Sequence, residues 1–415
     1  MEFLQITESE YDVFQKQHLY RDFMNSIQAM ELKRMSQWQV EYVGVKEGDT
    51  LLCASALTSL PVMKIFRFYY AQRGFLIDYE NKELLSFFVE HLKSYLKSKK
   101  ALYLLVDPNV LYRERDIDSN LVDGGFDNSY VVENLQAAGL EHQGFTKNFQ
   151  VLSAIRWVST LYLQDKDEKS VLQGMRQLTR RSIKKVNKEG IKVRELSLSE
   201  LSIFTDMLDH TGQRRNFDVR SYEFYENQAK AFGEDCQVLL AYMDVNEFVK
   251  NLEKDLLSFS KKINDLTKKL ELDPDNKKNQ NKKEILEQTV EASKKKLAEL
   301  KELQSKHGDI INMATSFFIT QGDECVYLYG AAYDEFKKYN APYAIQWHMI
   351  QESLKKGIKR YNFYGISGDF NEDAVDYGVY EFKKGFGAIV EELVGDFVLP
   401  IRPLLYTLYK KLKNK

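Results

Sequence analysis

The sequence predicts an α+β protein made of two similar lobes, with a helical arm inserted in the second. Three observations predict it: a length beyond the reach of one core, a strand–strand–strand–helix–strand order that occurs twice, and a heptad-spaced stretch inside the second occurrence. At 415 residues the chain exceeds what a single hydrophobic core usually serves, so two domains are expected before any motif is considered. Hydrophobic residues make up 44% and aromatics 13%, with only 6 prolines. Such a chain can bury most of its length rather than stay disordered.

The first occurrence runs VEYVGVKEGDTLLCASALTS, then IFRFYYAQRG, a helical LLSFFVEHLKSYLKSKK and the apolar strand ALYLLVDP. Its opening strands meet at KEGD, a tight-turn signal for a hairpin. The second runs VLLAYMD, INMATSFFITQGDECVYLYGAA, a helical YAIQWHMIQESLKKGIK and the strand RYNFYGI. Here the heptad stretch stands where the turn should be, so it is an insertion at a hairpin tip. Mixed strands with a helix packed across them are compatible with an N-acetyltransferase-like fold. The Q/R-x-x-G-x-G/A pyrophosphate loop of that fold's acetyl-CoA members is missing. GISGD, from Gly365 to Asp369, comes nearest and is read as turn chemistry. The expected boundaries are 1–153 for the first lobe, 154–244 with 308–415 for the second, and 245–307 for the arm.

Within the arm, Val245, Val249, Leu252, Leu256, Phe259, Ile263, Leu266 and Leu270 alternate spacings of four and three. That is the seam of a coiled coil. LDPDNKKNQN then breaks the helix at Pro274, because proline cannot continue the hydrogen-bond ladder. A second seam follows through Leu286, Val290, Ser293, Leu297 and Leu300. Two antiparallel helices, each about 40 Å long at 1.5 Å per residue, are the expected result.

Composition excludes several classes. The net charge of -2 speaks against a whole-surface nucleic-acid binder, so RNA contact has to come from local basic patches. Cys53, Cys236 and Cys325 are far apart, with neither a CxxC nor a His at ligand spacing; no zinc site, no other metal and no disulfide framework are expected. A reducing, cytoplasmic compartment fits, since MEFLQITESEYDVF lacks a basic n-region before an apolar run. No stretch of about 18 apolar residues suggests a transmembrane helix. The C-terminal LLYTLYKKLKNK, apolar and then basic, suits peripheral contact with an anionic membrane surface as well as it suits a solvated final helix.

No nucleophile motif occurs, so a direct transfer aided by positioning and electrostatics is favoured over a covalent intermediate. MRQLTRRSIKKVNKEGIKV places Arg181, Lys184, Lys185 and Lys188 on one broad helix face, which suits a phosphate backbone or simply water. TGQRRNFDVRSYEFY interleaves Arg214, Arg215 and Arg220 with aromatics, which suits a fork for phosphate beside flat surfaces as well as it suits aromatics in the core with arginines on the surface. In GVYEFKKGFG, Lys383 stands among Phe382 and Phe386. A lysine stripped of hydration acts strongly on a developing oxyanion.

Several strings together, ELK ending at Lys33, SALTSLPVMKIFRFYYAQRGFLIDYEN, DNKKNQNKK, YAIQWHMI, RYNFYGISGDFNEDA and FKKGF, resemble the Fem family of peptidoglycan-bridge aminoacyltransferases, nearest its FemA and FemB branch. The resemblance covers nearly the whole chain. It implies tandem acetyltransferase-like lobes, aminoacyl-tRNA as donor, a lipid-linked or nucleotide-linked cell-wall precursor as acceptor, and no cofactor. It further implies that Lys33 and Arg220 hold the precursor's diphosphate and that Phe382 and Lys383 stand at the transfer site. Tyr327, Tyr329, Tyr343 and Asp107 would line the substrate cleft, and the arm resembles a tRNA-binding helical hairpin. Two alternatives stay open: a Fem-like transferase acting on a lipid or protein amine, and a non-catalytic RNA-binding scaffold.

Overall fold

The computed structural model describes residues 1–149, 153–215 and 217–413. The first repeat begins with β1 (Glu2–Gln5), α1 (Glu8–Gln17) and α2 (Ile27–Met35). The expected order follows: β2 (Gln39–Glu47), β3 (Thr50–Val62), β4 (Phe66–Ala71), α3 (Lys82–Ser98) and β5 (Ala101–Val106). α4 (Ser129–Ala137) and β6 (Glu141–His142) complete that stretch. The second repeat is led by β7 (Trp157–Tyr162), α5 (Glu168–Gly174), α6 (Gln177–Lys188), β8 (Ile191–Glu195), α7 (Leu201–Arg215) and α8 (Tyr222–Phe232). Then come β9 (Cys236–Asp244), α9 (Val245–Leu272), α10 (Lys277–His307), β10 (Ile310–Gln321), β11 (Glu324–Ala332), α11 (Ala341–Lys355) and β12 (Arg360–Ile366). α12 (Tyr377–Gly385), β13 (Ile389–Glu392), β14 (Phe397–Pro400) and α13 (Pro403–Lys413) close the chain.

The two seven-stranded sheets have the same plan. One is ordered β1-β2-β3-β4-β5-β14-β6, and the other, read from its opposite edge, β8-β9-β10-β11-β12-β7-β13. In each, the single parallel pair, β4 with β5 and β11 with β12, is bridged by one helix, as a parallel crossover requires.

Each sheet takes its sixth strand from beyond the end of the other: β7 enters the second sheet, and β14 returns to the first. β14, though not β7, thereby departs from the expected division. Residues 397–413, expected with the second lobe, therefore lie on the first, and Phe397 and Leu399 are buried in its core. An apolar strand carries no mark of which sheet edge it will meet, so only pairing in space decides this. A third core joins the lobes, with Tyr11, Phe23 and Leu76 packed with Phe204, Phe317 and Leu328.

α9 and α10 form an antiparallel pair inserted between β9 and β10, whose flanking residues Asp244 and Ile310 are paired. Lys301 reaches Glu253 at 3.6 Å, and Gln304 donates to Asn246 at 2.6 Å. Along both helices the residues read as the two seams are half-buried, apart from Val245 and Leu300 at the root, which are fully buried. The root of this pair is anchored more firmly than an insertion at a tip requires. Val245 and Leu300 are fully buried, Phe248 lies under Gly190, and Lys296 meets Glu189 at 2.5 Å.

Candidate functional site

β12 is where the second sheet becomes irregular. Its register against β7 shifts between Asn362 and Gly365, and Tyr364 takes φ +62°, a conformation that a non-glycine residue adopts at a cost and a bulge can impose. The carbonyls of Tyr364 and Gly365 stand at this irregularity. Both accept from Nζ of Lys383 on α12, at 3.0 and 2.6 Å. Lys383 is 4% exposed. Burial pushes its amine from 10.5 down to about 7, with Asp376 opposing. The sequence placed this lysine among aromatics; the structure adds that two backbone carbonyls hold its amine.

Phe382, the preceding residue, packs against Tyr343 of α11 at 5.0 Å and Phe386 at 5.2 Å. Phe363 lies 5.3 Å from Phe386 and 6.5 Å from Tyr327. β11 and β12 pair only through Glu324–Val326, and the next residues, Tyr327 and Phe363, begin their divergence into this aromatic pocket. Gly330 makes room for it: a Cβ there would stand 1.8 Å from the Tyr327 hydroxyl. Tyr343 also bonds Ser182 on α6, and burial raises its phenol. Ser182, Ile183 and Val186 form the inner face of α6. Arg181, Lys184, Lys185 and Lys188 are exposed on its outer face, one helix thickness, about 10 Å, from the pocket. Lys185 donates to the Lys338 carbonyl at 2.7 Å. Arg180, in the same basic run, turns inward to the last carbonyls of α5, including Gln173 and Met175, each at 3.0 Å.

The other half of the site lies along the seam between the lobes. Lys33, on α2, holds Nζ 4.8 Å from the Trp38 ring and 5.7 Å from that of Tyr70; burial lowers its amine, opposed by the charge of Asp107. Asp107, 2% exposed, accepts from the Arg73 backbone at 2.8 Å and faces its guanidinium at 3.4 Å. Arg73 is itself buried and donates to the Ile155 carbonyl at 2.7 Å. Burial raises the Tyr364 phenol, with Arg73 opposing and the carboxylates of Asp22 and Asp107 adding to the rise. Burial likewise raises Tyr329, and Tyr364 adds to it. Arg220, exposed just before α8, lies 5.8 Å from the Phe224 ring and acts on both Tyr329 and Tyr225.

The structure thus brings Lys33, Asp107, Tyr329 and Arg220 to the seam and Tyr327, Tyr343 and Phe382 to the aromatic pocket. Tyr364 joins the two halves, through its ring on one side and its carbonyl on the other. Sequence reasoning missed Tyr364, Arg73 and Asp22. Only the glycine after Tyr364, hinting at a bulge, offered a signal; the other two gain their place from long-range packing. Among the described residues, no three His, Cys, Asp or Glu side chains gather as metal ligands.

These features define a class: two-lobed α+β proteins with exchanged strands, whose buried lysine stands between an aromatic cluster and the seam of the lobes. The chain belongs to the FemAB family, whose model matches residues 6–414. It is 39% identical over 415 residues to an aminoacyltransferase FemA of Staphylococcus epidermidis, covering 100% of this chain and 99% of the relative. A FemA of Staphylococcus aureus is 38% identical with the same coverage. The crystal structure of FemX superposes with a TM-score of 0.85 at 25% identity, covering 98% of this chain and 99% of that one.

Proposed function

We propose that this chain, an aminoacyltransferase of the FemAB family, takes an amino acid from aminoacyl-tRNA and adds it to the interpeptide bridge of a peptidoglycan precursor. The observation that carries the reading is Lys383, buried between the aromatic cluster and the seam of the lobes with its amine held at the Tyr364 bulge. The acceptor amine attacks the ester carbonyl, and the tetrahedral oxyanion is stabilised by the charged Lys383. Collapse breaks the ester bond, the amine loses its proton, and the tRNA ribose oxygen leaves and takes one up.

In this reading Lys33 and Arg220 bind the precursor's diphosphate, while Tyr329 and Asp107 line its path. Phe382, Tyr327 and Tyr343 form the donor pocket, and Arg181, Lys184, Lys185 and Lys188 follow the tRNA backbone. Each lobe is read as acetyltransferase-like, on the strength of its single helix-bridged parallel pair. Radiolabelled aminoacyl-tRNA incubated with lipid-linked precursor should leave label in the precursor; label on some other amine, or on none, would sink the reading.

A lipid-linked acceptor calls for contact with the membrane surface. No helix of the described residues is long and apolar enough to cross a membrane, but α13 exposes Leu404, Leu408 and Leu412 beside Lys410 and Lys411; residues 414 and 415 of this basic end lie outside the described residues. Sedimentation with anionic vesicles, abolished by Leu404→Asp with Leu408→Asp, is the expected result; unchanged sedimentation would exclude this helix.

The arm, read as a coiled coil, is the second tRNA contact. Removing 260–292 keeps the buried root, so the protein should stay folded while its affinity for charged tRNA falls about tenfold through lost phosphate contacts. Undiminished binding by the folded deletion variant would remove the arm's assigned role. Deleting the whole arm is a poorer test, because losing buried Leu300 alone costs about 2–5 kcal/mol.

A further inference from the structure

A cavity of about 280 Å³ opens beside the seam, apart from every residue assigned above. Its wall is a ladder of cations and rings. The Arg115 guanidinium lies 5.0 Å from the Trp157 ring, and that of Arg156 lies 4.8 Å from both Trp157 and Phe145. Phe145 stacks on Tyr112 at 4.6 Å, and Arg113 covers Tyr112 at 4.8 Å. Lys147 adds a fourth cation, while Glu392 is the cavity's one carboxylate.

That carboxylate does not satisfy Arg156, whereas Arg115 also donates to the Ser119 carbonyl at 2.7 Å. Arg115 reaches Glu392 at 3.0 Å, but Arg156 stands 3.7 Å from the same oxygen, beyond hydrogen-bond range. Arg156 is 4% exposed, and its Nε, like that of Arg115, has no acceptor among the described residues. A buried guanidinium short of acceptors is costly, and native structures complete such groups. Planar guanidinium forks fit a carboxylate in two-point contact, and the ring-lined walls suit short apolar side chains beside it.

The cavity is also placed for the reaction. Trp157 pairs with Ile366, the residue after the Gly365 carbonyl that holds Lys383. Phe370, on the cavity wall, packs at 5.1 Å on Tyr380, one helical turn before Lys383 on α12. We propose that this cavity binds the terminal carboxylate of the acceptor peptide, clamped by Arg115 and Arg156, and so fixes which amine reaches Lys383. The proposal rests on the reading above that the acceptor is a peptidoglycan precursor, and supposes that its peptide ends in a free carboxylate.

The test is calorimetric binding to the full-length protein of a short linear peptide with a free lysine side chain, compared with the same peptide amidated at its C-terminus. The wild type should bind the carboxylate form about tenfold tighter. Arg115→Gln and Arg156→Gln should erase that preference while binding the amide as the wild type does. Equal binding of the two forms, no binding of the carboxylate form, or a preference surviving in both variants overturns the proposal. Should Arg156→Gln fail to fold by circular dichroism, the more exposed Arg115 decides. Binding is read without transfer, so failure here is distinct from failure of the label-transfer experiment.

Discussion

Replacing Lys383 with Met is expected to lower the turnover number with charged tRNA by about a hundredfold to a thousandfold, while affinity for the precursor changes by less than about twofold. The asymmetry follows from position. Lys383 touches the Tyr364 and Gly365 carbonyls, whereas Lys33 and Arg220 lie elsewhere along the seam. Equal losses in turnover and precursor affinity would rule out a role confined to the transition state.

The pH dependence gives a second readout. An oxyanion stabiliser must be protonated, and burial brings this amine to about 7, so the turnover number should fall as pH rises through neutrality; a rising limb would make Lys383 a base instead. Stability should move the opposite way. The unfolded amine keeps its proton up to 10.5, while the folded one releases it near 7. Between those values the unfolded chain binds the extra proton, so this group's contribution to stability rises with pH. Lys383→Met should lack that rise, and urea titrations at pH 7 and pH 9 check it.

Asp107→Asn is the substitution expected to cost the most stability, about 3–5 kcal/mol, because it takes from the Arg73 guanidinium, 3% exposed, its strongest compensating charge and leaves the weaker attraction of Asp22. Arg73 is held from several directions. Its backbone donates to Asp107, its side chain donates to the Ile155 carbonyl, and its own φ of +50° fits only while those contacts last. Arg73→Met combined with Asp107→Asn should recover part of the loss, since removing both charges removes the desolvation penalty. Denaturant unfolding of the two variants measures this coupling; a single variant losing under about 1 kcal/mol would mean that water or movement relieves the charge. Because Asp107 also acts on Lys33, the variant should bind precursor more weakly as well.

Much of the architecture was legible in the residues. The repeated strand–strand–strand–helix–strand order gave the strands of both repeats, the four–three spacings gave α9 and α10, and Pro274 between them gave the break. These are local signals, and local hydrogen bonding and side-chain periodicity are enough to realise them. The exposed face of α6, with Arg181, Lys184, Lys185 and Lys188, was legible for the same reason. Family resemblance marked Lys383, Phe382, Lys33 and Arg220 without saying how they meet.

Tertiary structure alone decided the rest. The exchange of β7 and β14 depends on which sheet edge each strand finds, which no periodicity encodes. The carbonyl grip on Lys383 needs a register slip in β12 and a helix packed over it. The charge network of Asp22, Arg73 and Asp107 joins residues whose only common property is desolvation at the lobe junction. Sequence by itself therefore determined the elements and the residue types available for chemistry. The burial that turns a lysine into a group titrating near neutrality, and sets two arginines against one carboxylate, arises only where chain-distant surfaces exclude water together.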